Sequence, residues 1–331
     1  MNVAVVGGGI IGLSIAWKLV SRGAEVTVFD DGADGAWNVA AGMLAPDGES
    51  SFEPPALVRL MSLSAERWPS FAESLGVDVG YDDAGSLSLA VTADDVASAS
   101  RGWNSPVLRP SELRDLEPAV SPRVRAGVYL PGDRQVDPRR VVAALRDRLG
   151  PRIVARRVSS LDELEASAVV VAAGCGTEAL TGLPVRPVKG QVLRLRGEPG
   201  LLRHVLEATV DGRSVYIVPR ADGEIVVGAT QEERADWTVT AGGVYSLLRA
   251  AIELVPDLAE CRLVETLVGH RPGTPDNAPL LGTLRDGVVV AAGHFRNGVL
   301  LAPITADLIS DLVVTGSADP LLDDFAPGRF A

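Results

Sequence analysis

Gly7, Gly9 and Gly12, followed at Asp30 by an acid eighteen positions beyond the last of them, have the spacing to hold a phosphorylated nucleotide. The first glycine would make a tight turn, the second would admit a pyrophosphate against the backbone, and the third would let helix and strand pack closely. The acid would meet ribose hydroxyls. A second stretch with chemical character is AAGHFRNGVLLAPITADLI, residues 291 to 309, where Arg296 stands between Gly293 and Gly298 as an apolar strand gives way to an apolar helix. A guanidinium is costly in such surroundings unless something pairs with it. His204, His270 and His294 are isolated, and Cys175 and Cys261 lack metal-ligand spacing, so no metal centre is expected.

The elements that must position these residues can be read around them. VAVV, residues 3 to 6, reads as a strand, IIGLSIAWKLVSRG as a helix with apolar spacing through Ile11, Ile15, Leu19 and Val20, and AEVTVFD as a second strand ending at Asp30. A pyrophosphate would then rest on the free amides and positive dipole end of that helix. On this pattern alone the dinucleotide is NAD or FAD. NVAAGMLAP, residues 38 to 46, offers small residues whose backbone could press against a flat ring system. Within ASAVVVAAG, residues 166 to 174, Val169 to Ala173 reads as a fully apolar strand ending in Ala-Gly, of the kind found in parallel sheets covered on both faces.

Between these segments the chain makes excursions. Residues 54 to 75 predict a helix that Pro69 kinks or splits, residues 83 to 92 alternate like a strand, Ser111 reads as a helix N-cap, and a further helix starts at Asp137–Pro138. From 185 to 230, PVKGQVLRL, HVLEATV, SVYIVPR and EIVVGAT follow one another across Gly, Asp and Pro turns, which predicts an antiparallel sheet. A helix at about 241 to 254 and the strand CRLVETLVGHRPG come next, before GVVVAAG leads back to the Arg296 segment.

At 331 residues the chain exceeds what one core usually organises, so the expected fold is α/β (α+β overall), with a Rossmann-like nucleotide domain and an interleaved antiparallel-sheet substrate domain. The nucleotide domain is assigned to 1-52, 135-184 and 268-331, and the substrate domain to 53-134 and 185-267. A formal net charge of −12 disfavours nucleic acid and anionic lipid as partners. No stretch approaches eighteen uninterrupted apolar residues, no secretory signal precedes the strand at Val3, and two cysteines suit a reducing compartment. A cytoplasmic protein without membrane contact is expected.

The motifs VVGGGIIGLSIAWKL, AAGMLAP, PVKGQ, YIVPR, VVGAT, GHRPGTPDNAPLLG and AAGHFRNGVLLAP, in this order from Met1 to about Val314, resemble the D-amino-acid oxidase family of flavin-dependent amine oxidases, and most of all its glycine-oxidising members in thiamine biosynthesis. The resemblance implies releasable, non-covalent FAD and a sheet-roofed pocket above it. It also implies oxidation of glycine, sarcosine or small D-amino acids by O2, giving a 2-oxo acid, ammonia or amine, and hydrogen peroxide, in a homo-oligomer. By the same resemblance Gly7, Gly9, Ile10, Ile11, Gly12, Asp30 and Asp31 belong to the ADP half of the FAD site, with Val158 near its adenine and Gly174 at the turn after the apolar strand. Ala41, Gly42 and Met43 meet the flavin ring through their backbone, and His294, Phe295, Arg296, Asn297, Gly298, Val299 and Leu300 form the loop that meets flavin and substrate. Tyr216 and Arg271 hold the substrate carboxylate.

Two departures from the family pattern stand out: Trp37-Asn38-Val39 replaces small and hydroxyl residues, and Gln231 replaces a larger apolar residue at the substrate. The assigned types suit the chemistry, because a guanidinium fork matches a carboxylate with two bonds and a tyrosine hydroxyl adds a directional third. No obligatory general base stands out. His270 and His294 are candidates, although isolated histidines near strand ends are more often structural. A helix starting near Gly298, with Pro303 in its first turn, would stabilise negative charge on reduced flavin. Two other functions compete: a D-amino-acid dehydrogenase passing electrons to a carrier, and a flavoprotein that serves only as a binding partner.

Overall fold

The computed structural model describes residues 1–48, 53–210 and 212–330. The boundary expected after residue 52 falls at residues outside those described, and so does Ala331 at the end of the last assigned segment.

Apolar strands organise the first layer. A six-stranded sheet runs in the order Leu280–Arg285, Val288–Ala292, Ala168–Val171, Asn2–Val6, Glu25–Asp30, Ile153–Ala155, and every neighbouring pair is parallel except the hairpin at 280–292. Successive residues of a strand point to opposite faces. Val3 and Val5 accordingly join Leu13, Ile15, Val141 and Ile304 in one core, while Ala4 and Val6 join Val171, Val185 and Val290 in another. Burial on both faces explains why these strands read as unbroken apolar runs. Helices Ile10–Ser21, Pro138–Leu149 and Ala302–Thr315 supply the first of these cores.

The expected helix over 54 to 75 is two helices, Pro55–Ala65 and Trp68–Ser74, with Pro69 in the first turn of the second. Their apolar stripe of Leu57, Leu60, Met61, Trp68 and Leu75 packs into the core of the six-stranded sheet, and Ser64 Oγ and the Trp68 indole both donate to the Leu300 carbonyl, at 2.6 and 2.9 Å. These helices, assigned by sequence to the substrate domain, therefore sit with the nucleotide sheet. Ser111 is not a cap: the helix is Pro110–Leu116, and the Glu112 carboxylate accepts the Arg109 N–H at 2.7 Å.

The second layer is a seven-stranded sheet in the order Arg262–Gly273, Arg186–Arg196, Glu224–Gly228, Arg213–Pro219, Val205–Val210, Ser86–Ala90, Ala126–Leu130. It is antiparallel except for the pair Val205–Val210 with Ser86–Ala90, which is parallel. Strand 86–90 arrives from a distant excursion, so no hairpin fixes its direction. Strand Arg262–Gly273 stays in this sheet past the boundary expected at 267. One face packs Leu193, Leu195, Ile217, Ile225 and Val227 against Leu247, Ala251 and Leu254 of helix Ala241–Leu254. The opposite face packs Val192, Val218 and Val226 against Ala41 and Met43, so this sheet roofs the loop that follows the glycine turn. Among the described residues no helix is long and apolar enough to cross a membrane.

Candidate functional site

The glycine turn is set by contact as well as by conformation. Gly7 has φ +113°, which only glycine adopts readily, and a side chain there would collide with the Ala172 carbonyl. At Gly12 a side chain would meet the Gly7 carbonyl, with Ala172 Cβ at 3.3 Å. A side chain at Gly9 would find only the Trp37 ring, at 3.6 Å. Gly9 is the N-cap of helix Ile10–Ser21, which has no side-chain cap and no acid in its first turn, so its leading N–H groups remain for an anion. Asp30 is buried, and one of its oxygens pairs with Arg146, which also donates to the Gly8 carbonyl at 3.0 Å.

From this turn extends a cavity of about 680 Å³. It is lined by Gly7, Gly9, Ile10, Ile11, Asp30, Asp31, Val158 and Gly174, and at its other end by His294, Phe295, Arg296, Gly298 and Val299. Gly12, Ala41, Gly42, Met43, Asn297, Leu300, Tyr216, Gln231 and Arg271 lie outside its lining. The wall also includes Arg156, Arg157, Trp37 and Trp237, none of which the sequence reading assigned to a site. Arg156 stacks on Phe29 at 4.9 Å. Its signal was present: two consecutive arginines end a short strand in an acidic chain. The volume, the uncapped helix and the two arginines fit a dinucleotide as large and anionic as FAD.

The segment after strand Val288–Ala292 turns sharply. Gly293 has φ +71° and Phe295 +47°, and the Phe295 N–H reaches the Pro272 carbonyl at 3.0 Å. Residues 298–301 form a turn, and the helix begins at Ala302 with Pro303 in its first turn, later than the expected start near Gly298. His294 is buried with Nε2 3.1 Å from Thr305 Oγ1, and burial pushes its pKa down to about 3, so its ring is neutral at working pH. Arg296 meets Glu53 at 3.0 Å. Its anion is thus a carboxylate of this chain, from a segment 243 positions away.

Cross-strand partners share a face of a sheet. Tyr216 is paired with Gly228 and Gly228 with Val192, while Arg271 is paired with Val188, which lies on the same face as Val192 by the alternation of strand residues. Tyr216 and Arg271 therefore share the roof face that meets Ala41 and Met43, and Tyr216 itself packs in that cluster. Glycines make room for both side chains. A Cβ at Gly228 would collide with the Tyr216 phenol, and one at Gly190 would come within 2.6 Å of Arg271 Nη1. Arg271 Nη1 donates to the Thr230 carbonyl at 3.1 Å. Gln231 is exposed. His270 holds the Asp236 carbonyl through Nε2 at 3.1 Å and meets the edge of Trp237 at 4.3 Å, which is a structural arrangement. Cys175 lies at the cavity wall, where burial pushes its thiol up to about 11.

A nucleotide sheet with an uncapped helix, covered by a second sheet that presents tyrosine and arginine, defines a dinucleotide-dependent oxidoreductase. The family model for FAD dependent oxidoreductases, DAO, matches residues 2–312, and the chain belongs to that family, with FAD as its cofactor. It is 38% identical to the bifunctional protein ThiO/ThiG of Synechocystis over 99% of this chain and 54% of that one. It is 37% identical to the glycine oxidase of Geobacillus kaustophilus over 94% and 92% of the two chains. The crystal structure of the latter organism's glycine oxidase superposes with a TM-score of 0.91 at 33% identity, covering 99% of this chain and 98% of that one. The chain thus spans about half the length of the bifunctional relatives it matches.

Proposed function

We propose that the protein is an FAD-dependent amino-acid oxidase acting on glycine, with sarcosine and small D-amino acids as further substrates. Its products are glyoxylate or another 2-oxo acid, ammonia or amine, and hydrogen peroxide, and its role is to feed thiazole formation in thiamine biosynthesis. The observation that carries this reading is the placement of Tyr216 and Arg271 on the one roof face that meets Ala41 and Met43. The likeness to glycine oxidases and to ThiO/ThiG supports the choice of substrate.

In this reading Gly7, Gly9–Gly12, Asp30, Asp31, Val158 and Gly174 hold the ADP half of FAD, Arg156 and Arg157 add positive charge beside it, and the segments 41–43 and 294–300 hold its ring. Bound FAD supplies the acceptor for the two electrons released from the substrate Cα–H bond. Arg271 grips the carboxylate, Tyr216 donates a further bond to it, and together they fix which substrate hydrogen faces inward. Arg296, whose side chain is tethered by Glu53, meets the substrate through its backbone carbonyl, which accepts from the amine. His294 is a weak base, because burial disfavours its protonated form, and its Nε2 is engaged with Thr305. Gln231, on the exposed segment after the roof strand, contributes to substrate choice at the edge of the site.

The FAD-binding part takes residues 1–48, 135–184 and 274–330 together with the helices at 55–74, and the substrate-binding part takes the remainder of 53–134 with 185–273, because the roof strand runs on to Gly273. The setting is a cytoplasmic homo-oligomer using O2. The test is anaerobic addition of glycine to the yellow holoenzyme followed by air. Bleaching, then recovery with one peroxide per glyoxylate, is expected. A flavin that keeps its colour with glycine, sarcosine, D-alanine and D-proline would refute the proposal, and bleaching without peroxide on aeration would transfer the electrons to another acceptor.

A further inference from the structure

Arg220 closes the motif YIVPR at the end of roof strand Arg213–Pro219 and is 8% exposed. By alternation it shares the face of Tyr216 and Val218, the face toward the loop 38–43. Its guanidinium enters no ion pair within 4 Å among the described residues and is spent on neutral oxygens. Nη1 donates to Gln135 Oε1 at 2.7 Å, and Nη2 donates to the Ala41 carbonyl. A buried cation that bonds a backbone carbonyl is an expensive group to maintain for packing alone.

The carbonyl it takes is the informative part. The peptide unit is planar and trans, so the Gly42 N–H points opposite to the Ala41 C=O. With that carbonyl held against Arg220, the N–H is turned away from the roof strand's end. The next carbonyl is held as well: Gly42 accepts from Val136 N–H at 2.9 Å, and Gly42 has φ +81° with the Val136 carbonyl where a side chain would be. Gln135 completes the brace, since it is both the acceptor for Arg220 and the strand partner of Met43. Glycine at 42 leaves the peptide free to flip in the absence of such a hold.

We infer that Arg220 is a positioning residue that locks the Ala41–Gly42 peptide with its N–H presented to the flavin ring. The inference rests on the proposed contact between segment 41–43 and the flavin. FAD-free protein is titrated with FAD, followed by quenching of flavin fluorescence, and with ADP, followed by calorimetry, in the wild type, Arg220→Lys and Gln135→Met. Lysine keeps the charge but cannot span both acceptors, and methionine at 135 removes one acceptor while leaving Arg220 in place.

The expected result is about tenfold weaker binding of FAD in Arg220→Lys, a smaller weakening in Gln135→Met, and ADP binding within twofold of wild type in both. The visible absorption band of the bound flavin shifts in parallel. Unchanged FAD affinity and spectrum in both variants would overturn the inference. So would an equal loss of FAD and ADP binding, which marks general damage to the fold. If Arg220→Lys does not fold, Gln135→Met decides. If the wild type binds FAD no more tightly than ADP, the flavin contact of segment 41–43 fails first and the role of Arg220 falls with it.

Discussion

His294 gives the most quantitative expectation. Its ring is buried with Thr305 Oγ1 as its polar partner, and its pKa falls from an ordinary 6.5 to about 3 through loss of hydration. The folded value lies below the unfolded one, so as the medium is acidified the unfolded chain takes up its proton first. The contribution to stability is therefore whole above pH 6.5 and is lost progressively between pH 6.5 and 3. One pH unit corresponds to about 1.4 kcal/mol, so lowering the pH to 5 removes about 2 kcal/mol through this residue alone. The variant His294→Gln keeps a polar partner for Thr305 and cannot titrate. Urea unfolding of both proteins without FAD at pH 7.5 and pH 5.0 isolates the effect as a difference of differences. The wild type is expected to lose about 2 kcal/mol relative to the variant on going to pH 5.0. An equal pH response in the two proteins would show that His294 is hydrated or charged in the folded state and would refute the reasoning.

Arg271→Ala should raise the KM for glycine by about 30- to 150-fold, the effect of losing about 2 to 3 kcal/mol of charge-assisted bonding, with a smaller change in kcat; wild-type steady-state kinetics would remove Arg271 from the site. Asp133 is buried, and burial pushes its carboxyl up to about 6 despite bonds from Ser86 Oγ at 2.6 Å and Asp47 N–H at 3.2 Å. Its folded value exceeds its unfolded one, so its contribution is present at low pH and lost as pH rises through 6. Asp133→Asn should accordingly gain melting temperature relative to wild type between pH 4 and pH 8, and a constant difference across that range would count against a buried carboxyl.

Local patterns carried much of this molecule. The turn from Gly7 to Gly12, the acid at Asp30 and the helix at 241–254 depend on short-range geometry, which residue type and spacing express directly. What the sequence concealed depends on distant partners. The parallel pairing of strands 86–90 and 205–210 is settled across more than a hundred intervening positions, so alternation could reveal each strand but not its direction. The stripe in residues 57–75 announced burial without saying which core would receive it. Arg296 looked like a group awaiting a ligand because its acid, Glu53, lies so far back along the chain. Arg220 ends the motif YIVPR with nothing in its neighbours to mark a role, and only the fold shows that its guanidinium is enclosed beside Ala41.

The strand order of the six-stranded sheet has a consequence for biosynthesis. Asn2–Val6 precedes the other five strands of its sheet along the chain, yet it lies inside the sheet, beside Ala168–Val171, whose own outer neighbour is Val288–Ala292. Helix Ile10–Ser21 packs against helix Ala302–Thr315. A ribosome must therefore release residues beyond 300 before the glycine turn at 7–12 has all of its permanent neighbours, which couples completion of the nucleotide site to synthesis of the helix Ala302–Thr315.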